Sequence, residues 1–325
     1  MDVRLPKRWV RRVLILAPFL IVVAYFRYRN ESDSSPNPRP RDPITERDAT
    51  AFLIPRRIEP GHVETIRDHV SRTVIGSDPD RLLRIDGAST ASLCLDQGRD
   101  PPEIVWYVEI PSAVVGEWDD PESRVGDAFP VEHERIGPTV EPVDRDLLVH
   151  AANPSRPRSI VPDERGPVDP TAPAAVRRVE VELVRMRLES GLPERLADRF
   201  ARVSRRVAAG EVDLGPVETW SLDMLEAEAM FTESVFLERR LSGYELVQYM
   251  EASEMRRVYD VYDDSWNPVA RLSAVVLDLG LDDPSCILDY PLESDFEAIA
   301  HVVHPNRPRR VGERRAEEKE DRSGD

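Results

Sequence analysis

Apolar positions between residues 49 and 309 follow two rhythms, a period of two and a period of 3.6, and together they predict the elements. In the second half, Val179 to Leu188 reads as a strand and Gly191 marks the turn after it. Leu192, Leu196, Phe200, Val203 and Val207 then recur at helical spacing and give one apolar face. Gly210 and Gly215-Pro216 interrupt, and a second helical piece runs from Trp220 to Glu228. Phe231 to Leu237 and Tyr244 to Glu251 are short strands, with Arg239 to Gly243 as the hairpin loop. A helix through Val258 and Val261 follows Ser253, and Phe296 to Val303 is a last strand stopped by Pro305. The first half repeats this order: a strand over Ala51–Ile58, a helix from Gly61, hairpin strands over Ser89–Leu95 and Glu103–Ile110, and a final strand near Leu147–Ala151. Its second helix is weak, because Pro111, Pro121, Pro130, Pro138 and Pro142 make most of 111–145 loop.

Strand–helix–strand–strand–helix–strand is the ferredoxin-like split βαβ order, and here it occurs twice. Four blocks match in sequence order. Arg57-Ile-Glu59-Pro-Gly61 matches Arg187-Leu-Glu189-Ser-Gly191, and Thr90-Ala-Ser92 matches Thr232-Glu-Ser234. Glu103-Ile-Val-Trp-Tyr107-Val-Glu109 matches Glu245-Leu-Val-Gln-Tyr249-Met-Glu251, and the block from His150 to Arg158 matches that from His301 to Arg309. The blocks read as a duplication. The expected fold is α+β: two ferredoxin-like (βαββαβ) units forming an intrachain pseudo-dimer. One four-stranded sheet covers only one face with its helices, so a second copy in the same chain can bury the other face. The alternative is two separate units, each pairing with another chain.

Phe231-Thr-Glu-Ser-Val-Phe-Leu-Glu238, Tyr249-Met-Glu251-Ala and Val258-Tyr259 resemble a family of small haloarchaeal proteins of unknown function. The resemblance implies a ferredoxin-like fold of the dimeric α+β barrel group and supplies no catalytic residues. This chain departs from that pattern in being doubled and in its apolar N-terminal segment.

Charge alters the picture at the front. The 325 residues carry 61 Asp+Glu against 44 Lys+Arg, a net −17, with lysine only at Lys7 and Lys319. Acid-rich, arginine-rich and lysine-poor composition fits a protein kept soluble at high salt. Residues 1–31 hold +5 of the charge, which leaves about −22 on the rest. So acidic a body repels phosphate backbones, so no nucleic-acid partner is expected. Arg4, Lys7, Arg8, Arg11 and Arg12 precede an uncharged apolar run, Val13 to Phe26. No small-x-small cleavage site follows, so residues 13–26 read as an uncleaved single-pass membrane anchor, with a signal peptide as the alternative. Basic residues on both sides give only a slight bias towards an extracytoplasmic body. The organisation is then 1–29 membrane anchor, 30–48 disordered tether, 49–153 first unit, 154–178 Pro-rich linker, 179–309 second unit and 310–325 disordered charged tail.

Candidate chemistry is sparse. Alternation puts Val105, Tyr107 and Glu109 on one face of their strand, Val247, Tyr249 and Glu251 on the matching face of theirs, and Ile104, Trp106, Val108 and Ile110 on the opposite face. Tyr107 with Glu109, or Tyr249 with Glu251, could supply a donor and a base. The plainer reading makes the tyrosines core aromatics and the glutamates solvated strand ends. His150 and His301, at the ends of the last strands, could bind haem or shuttle a proton, or otherwise are hydrogen-bonded edge residues. Arg156, Arg158, Arg307 and Arg309 read as solvated arms. Two distant cysteines, Cys94 and Cys286, support neither a disulfide framework nor a zinc site, and His301 and His304 point to opposite strand faces. Adjacent aspartates (Asp119-Asp120, Asp263-Asp264, Asp282-Asp283) follow from composition. No nucleotide, hydrolase or metal motif is present, and no cofactor or metal is expected. The chain reads as a non-catalytic, membrane-tethered, monomeric pseudo-dimer that binds a small molecule or protein in the cleft between its sheets. The alternative is a barrel enzyme, of monooxygenase or isomerase type, using the Tyr/Glu face or the strand-end histidines.

Overall fold

The computed structural model describes residues 43–139, 141, 143–156, 179–212, 216–264, 280–282, 294–304 and 307. The apolar segment 13–26, most of the Pro-rich linker, Arg158, Arg309 and the charged tail lie outside the described residues. No helix among the described residues is long and apolar enough to cross a membrane.

The strands are β1 (Ile44–Thr45), β2 (Ala49–Ile58), β3 (Thr90–Asp96), β4 (Glu103–Pro111), β5 (Ile136–Gly137), β6 (Asp144–Ala152), β7 (Glu180–Arg187), β8 (Met230–Arg240), β9 (Gly243–Ala252) and β10 (Phe296–Val303). The helices are α1 (Val63–Val70), α2 (Ser112–Val115), α3 (Pro121–Asp127), α4 (Leu192–Ala208), α5 (Pro216–Ala227) and α6 (Met255–Asp264). The strands form two antiparallel five-stranded sheets, ordered β1-β6-β8-β9-β7 and β10-β3-β4-β2-β5. The chain is therefore α+β, with helices on the outer faces and the two sheets packed face to face.

Period-two alternation builds three cores from these layers. Ile104, Trp106, Val108 and Ile110 of β4 face outwards and meet Ile66 and Val70 of α1. Val184 and Met250 face outwards on the other sheet and meet Ala201 of α4 and Val258 of α6. Between the sheets lie Leu53, Val105, Tyr107, Leu183, Phe236, Val247 and Tyr249. The alternation read from the sequence thus separates the helix-facing core from the inter-sheet core.

The matched blocks occupy matching places. Gly61 and Gly191 each follow the first strand of their half with positive φ, +81° and +97°, which favours glycine. At the start of α4 the Gly191 N–H donates to the Glu194 carboxylate at 2.8 Å. Both last strands also carry a register shift at the same place, Leu147/Val149 in β6 and Ala298/Ala300 in β10.

Strand pairing departs from the simple split βαβ unit. Instead of closing its own unit, β6 pairs with β8 of the second half, and β10 pairs with β3 of the first. The exchange covers the edges of β3 and β8, which would otherwise be open pairing sites. Neither sheet is complete without a strand from the other half. The N-terminal tether expected over 30–48 also ends sooner: Ile44 is buried, and β1 pairs with Ala151 and Ala152 of β6. Residues 111–145, expected to be mostly loop, hold among the described residues the short α2 and α3, the two-residue β5 and the start of β6.

Candidate functional site

Strand exchange brings the sequence candidates together. Across one sheet the register aligns His150 of β6, Ser234 of β8 and Tyr249 of β9. Across the other it aligns His301 of β10, Ser92 of β3 and Tyr107 of β4. The two rows face each other. Tyr107 Oη lies 3.0 Å from Ser234 Oγ, which lies 2.9 Å from His150 Nδ1. Tyr249 Oη lies 3.0 Å from Ser92 Oγ, which lies 2.8 Å from His301 Nδ1. Between them the two tyrosine rings stack, 3.5 Å apart and 6° from parallel. Each hydroxyl thus crosses to the opposite sheet. None of these six residues is more than 3% exposed, so the whole constellation is sealed.

One step along the strands, Glu109 and Glu251 are buried too, where the plainer reading had them solvated. Arg156, following β6, grips Glu109 of the other sheet with bonds of 2.7 and 2.5 Å, and Ser89 Oγ donates to the same carboxylate at 2.9 Å. Arg307, following β10, grips Glu251 at 2.8 and 2.7 Å. Both arginines also donate to Thr232 Oγ1, at 3.1 and 2.9 Å. Arg156 and Arg307 are therefore not solvated arms but fully buried cross-sheet clamps. The expectation failed because an arginine beyond a strand end carries no local sign of its distant carboxylate.

Electrostatics follow from burial. Burial alone would raise the Glu109 carboxyl, but the Arg156 guanidinium overrides it and holds the group far below the usual range. Arg307 likewise outweighs burial at Glu251 and holds its carboxyl below the ordinary value. Burial lowers His150 and His301 to about 4, against the pull of Glu109 and Glu251 beside them. Their Nε2 atoms have no hydrogen-bond partner among the described residues; His150 Nε2 sits 3.9 Å from Glu109. Burial also lifts both tyrosines well above their ordinary value. The row therefore consists of neutral hydroxyls and neutral imidazoles beside two charge-paired clamps. Ser92 and Ser234 link it together. Sequence reasoning passed over both, although each stands in a matched Thr-x-Ser block.

At the opposite end of the inter-sheet space, Asp96 and Glu103 face each other across β3 and β4, and Glu238 and Glu245 across β8 and β9. Arg99, Arg145, Arg185 and Arg240 neutralise them. The cavity left there is about 10 Å³, room for roughly one water at most. Burial pushes the neighbouring Cys94 thiol up to about 12, so it offers no thiolate at neutral pH. No cluster of three or more His, Cys, Asp or Glu among the described residues could hold a metal ion.

A larger space lies at one of the two seams where the sheets meet edge to edge. Between β2 and β6 a cleft of about 360 Å³ reaches from the surface to the inter-sheet core, with Phe52, Leu147 and Phe236 in its lining. Arg56, Arg145 and Arg205 also border it, and α4 contributes Ser204 and Ala208. Side chains fill the space between the sheet faces, and open volume lies at their edge.

No protein-family model matches the chain, and no curated protein matches it either. Among solved structures, a candidate monooxygenase from Fusobacterium nucleatum is similar over 79% of this chain and 92% of its own, at 6% identity and a TM-score of 0.34. An anthrone oxidase-like protein is similar over 80% and 94%, at 10% identity and a TM-score of 0.30. Likeness this distant carries no inference about chemistry.

Proposed function

We propose that the chain is a non-catalytic ligand-binding module, tethered to a membrane by residues 13–26 and built for a high-salt setting. The observation that carries this reading is where the free volume lies. The side chains that resemble a catalytic set, Tyr249, Glu251 and His301 with Tyr107, Glu109 and His150, are spent on joining two sheets and are closed to solvent. A general acid or base must come within hydrogen-bond reach of its substrate, and that core has no room for one. The β2–β6 cleft, at about 360 Å³, falls inside the ~300–1,000 Å³ range of small-molecule sites.

Ligand-observed NMR with a chemically varied fragment mixture tests the reading on the full chain. Ala208 is an exposed residue on the cleft wall, and Ala208→Trp fills the space. Fragments that bind the natural protein and are lost in A208W support a cleft-binding module. Equal binding to both proteins, or none to either, overturns it. Cell fractionation tests the tether, which predicts the full chain in the membrane fraction and a chain lacking residues 1–29 in the soluble one.

A further inference from the structure

The cleft wall has an unusual chemical feature: part of it is the bare edge of a strand. The backbone carbonyl of Glu109 accepts from Ser89 N–H at 2.8 Å, so the Glu109 backbone faces β3. Its register partner on β2 is Ala51. In an antiparallel ladder that makes the Ala51 N–H and C=O point away from β4, towards the seam. The same alternation turns Leu53 and Pro55 that way. Strand β5 covers this edge only at Arg57 and Ile58. Pro55 has no N–H to satisfy, as suits an edge, and the Leu53 carbonyl accepts from Arg145 at 2.5 Å. The N–H groups of Ala51 and Leu53 and the carbonyl of Ala51 have no protein partner among the described residues, although these residues are only 3% and 2% exposed. Buried backbone groups are almost always paired, with protein, water or ligand.

The charged walls narrow the occupant further. Arg56 donates to the Gly126 carbonyl at 2.7 Å, Arg145 is held by Glu238 at 2.6 Å, and Arg205 is paired with Asp146. All three guanidiniums are already engaged, and Glu46 and Glu122 also stand in the lining. An anion would meet carboxylates there, and of the three guanidiniums only Arg56 lacks a carboxylate partner among the described residues, its donors resting on the Pro55 and Gly126 carbonyls. The half-buried Phe52 and Leu147 offer apolar surface instead.

Resting on the binding-module reading, we infer that the cleft takes an uncharged ligand with a flat apolar body and an amide-like edge, whose acceptor and donor pair with the unpaired edge of β2 at Ala51 and Leu53. The ligand adds a short stretch of ladder to β2 while its body covers the aromatic lining.

Titration of the isotope-labelled full chain with 1-naphthamide and 1-naphthoate, flat bodies of one size differing in charge and donor, tests this. The amide is expected to bind at least tenfold more tightly, to move the backbone N–H signals of Ala51 and Leu53, and to lose its effect in A208W. Equal or tighter binding of the carboxylate, or amide binding that leaves both N–H signals in place, overturns the ligand class and leaves the module reading standing. If neither probe moves any cleft signal while other fragments do, the class alone fails; if no fragment does, both readings fail together.

Discussion

The two ends of the inter-sheet space solve one problem in different ways. Each holds buried carboxylates that need cations. At the Glu109/Glu251 end both halves use the same solution, an arginine six residues beyond the strand-end histidine reaching across to the opposite sheet. At the other end the carboxylates match, Asp96 with Glu238 and Glu103 with Glu245, but their arginines do not: Arg99 stands in the β3–β4 turn, Arg145 on β6, Arg185 on β7 and Arg240 on β8. The lesson is that a buried carboxylate row tolerates several cation sources, provided the charge is balanced. Where the clamp also fastens an exchanged strand, the solution is the same in both halves. Even there the symmetry is incomplete. Thr232 accepts from both arginines, whereas its counterpart Thr90 has no hydrogen-bond partner for its hydroxyl among the described residues.

The comparison breaks most visibly at the clamps. Arg156→Met leaves Glu109 buried without its counter-charge and is expected to cost about 3–5 kcal/mol in denaturant unfolding. Adding Glu109→Leu to Arg156→Met removes the stranded charge and should restore most of that loss. A single variant as stable as the natural protein would mean that the clamp does not hold the exchanged strand.

Acid is the next largest lever, and it acts at the same end. His150 and His301 titrate near 4 in the folded chain against an ordinary 6.5. Between those values the unfolded chain binds more protons, so stability falls as pH drops from about 6.5 towards 4. Each histidine then contributes a loss of about 2 kcal/mol at pH 5 relative to pH 8. Glu228 and Glu182, on the second half's helix-facing side, have the opposite sign. Burial raises them to about 8 and about 7, each aided by a neighbouring glutamate, so their contribution fades as pH rises from 4.5 through those values. His150→Gln with His301→Gln should flatten the acid limb of a stability–pH curve, and Glu228→Gln the alkaline limb. Limbs unchanged by these substitutions would show that other groups set the profile.

At the mismatched end the same kind of truncation should matter less. Arg240 bonds Glu238 at 3.0 Å and Glu103 at 3.3 Å, but Glu238 keeps Arg145 at 2.6 Å after Arg240→Met. The expected cost is about 1–3 kcal/mol: Glu238 stays compensated, and Glu103, which loses its ion pair, keeps Arg99 nearby and is already raised towards protonation by burial. A loss as large as that of Arg156→Met would remove the distinction between the two ends.

Much of this was legible in the chain, and the reasons are local. Alternation separates Val105 and Tyr107 of β4, and Val247 and Tyr249 of β9, which face the other sheet, from Ile104, Trp106, Val108 and Ile110, which face the helices, because a strand's two faces are fixed by its period. The positions of Gly61 and Gly191 mark the two turns for the same local reason. Strand exchange was not legible: the pattern of β6 is the same whichever half it pairs with. Nor was the burial of Arg156, whose carboxylate lies 47 residues away in sequence, or of Arg307, whose partner lies 56 away. The one available sign was that both arginines sit at the same place in blocks matched between the halves. The β2–β6 cleft had no sequence sign, since it depends on how two strand edges diverge.

The smallest effect tests the tyrosine row, where the pseudo-symmetry is closest. Tyr249→Phe removes the hydroxyl that meets Ser92 but keeps the ring stacked on Tyr107, and Ser92 retains His301 at 2.8 Å. One hydrogen bond between neutral groups is lost, at about 1 kcal/mol. Tyr107→Phe removes its equivalent at Ser234, which retains His150 at 2.9 Å. If the rows are independent, the two losses add in the double variant, as measured by a double-mutant cycle. The stack argues that they are not. With its rings 3.5 Å apart at the centre, a shift of either ring after losing its anchor moves the other, so the double variant should lose measurably less than the sum. Strict additivity would mean that the rings are held by their own sheets, and that the hydroxyls crossing between sheets only satisfy polar atoms and do not set the register of one sheet on the other.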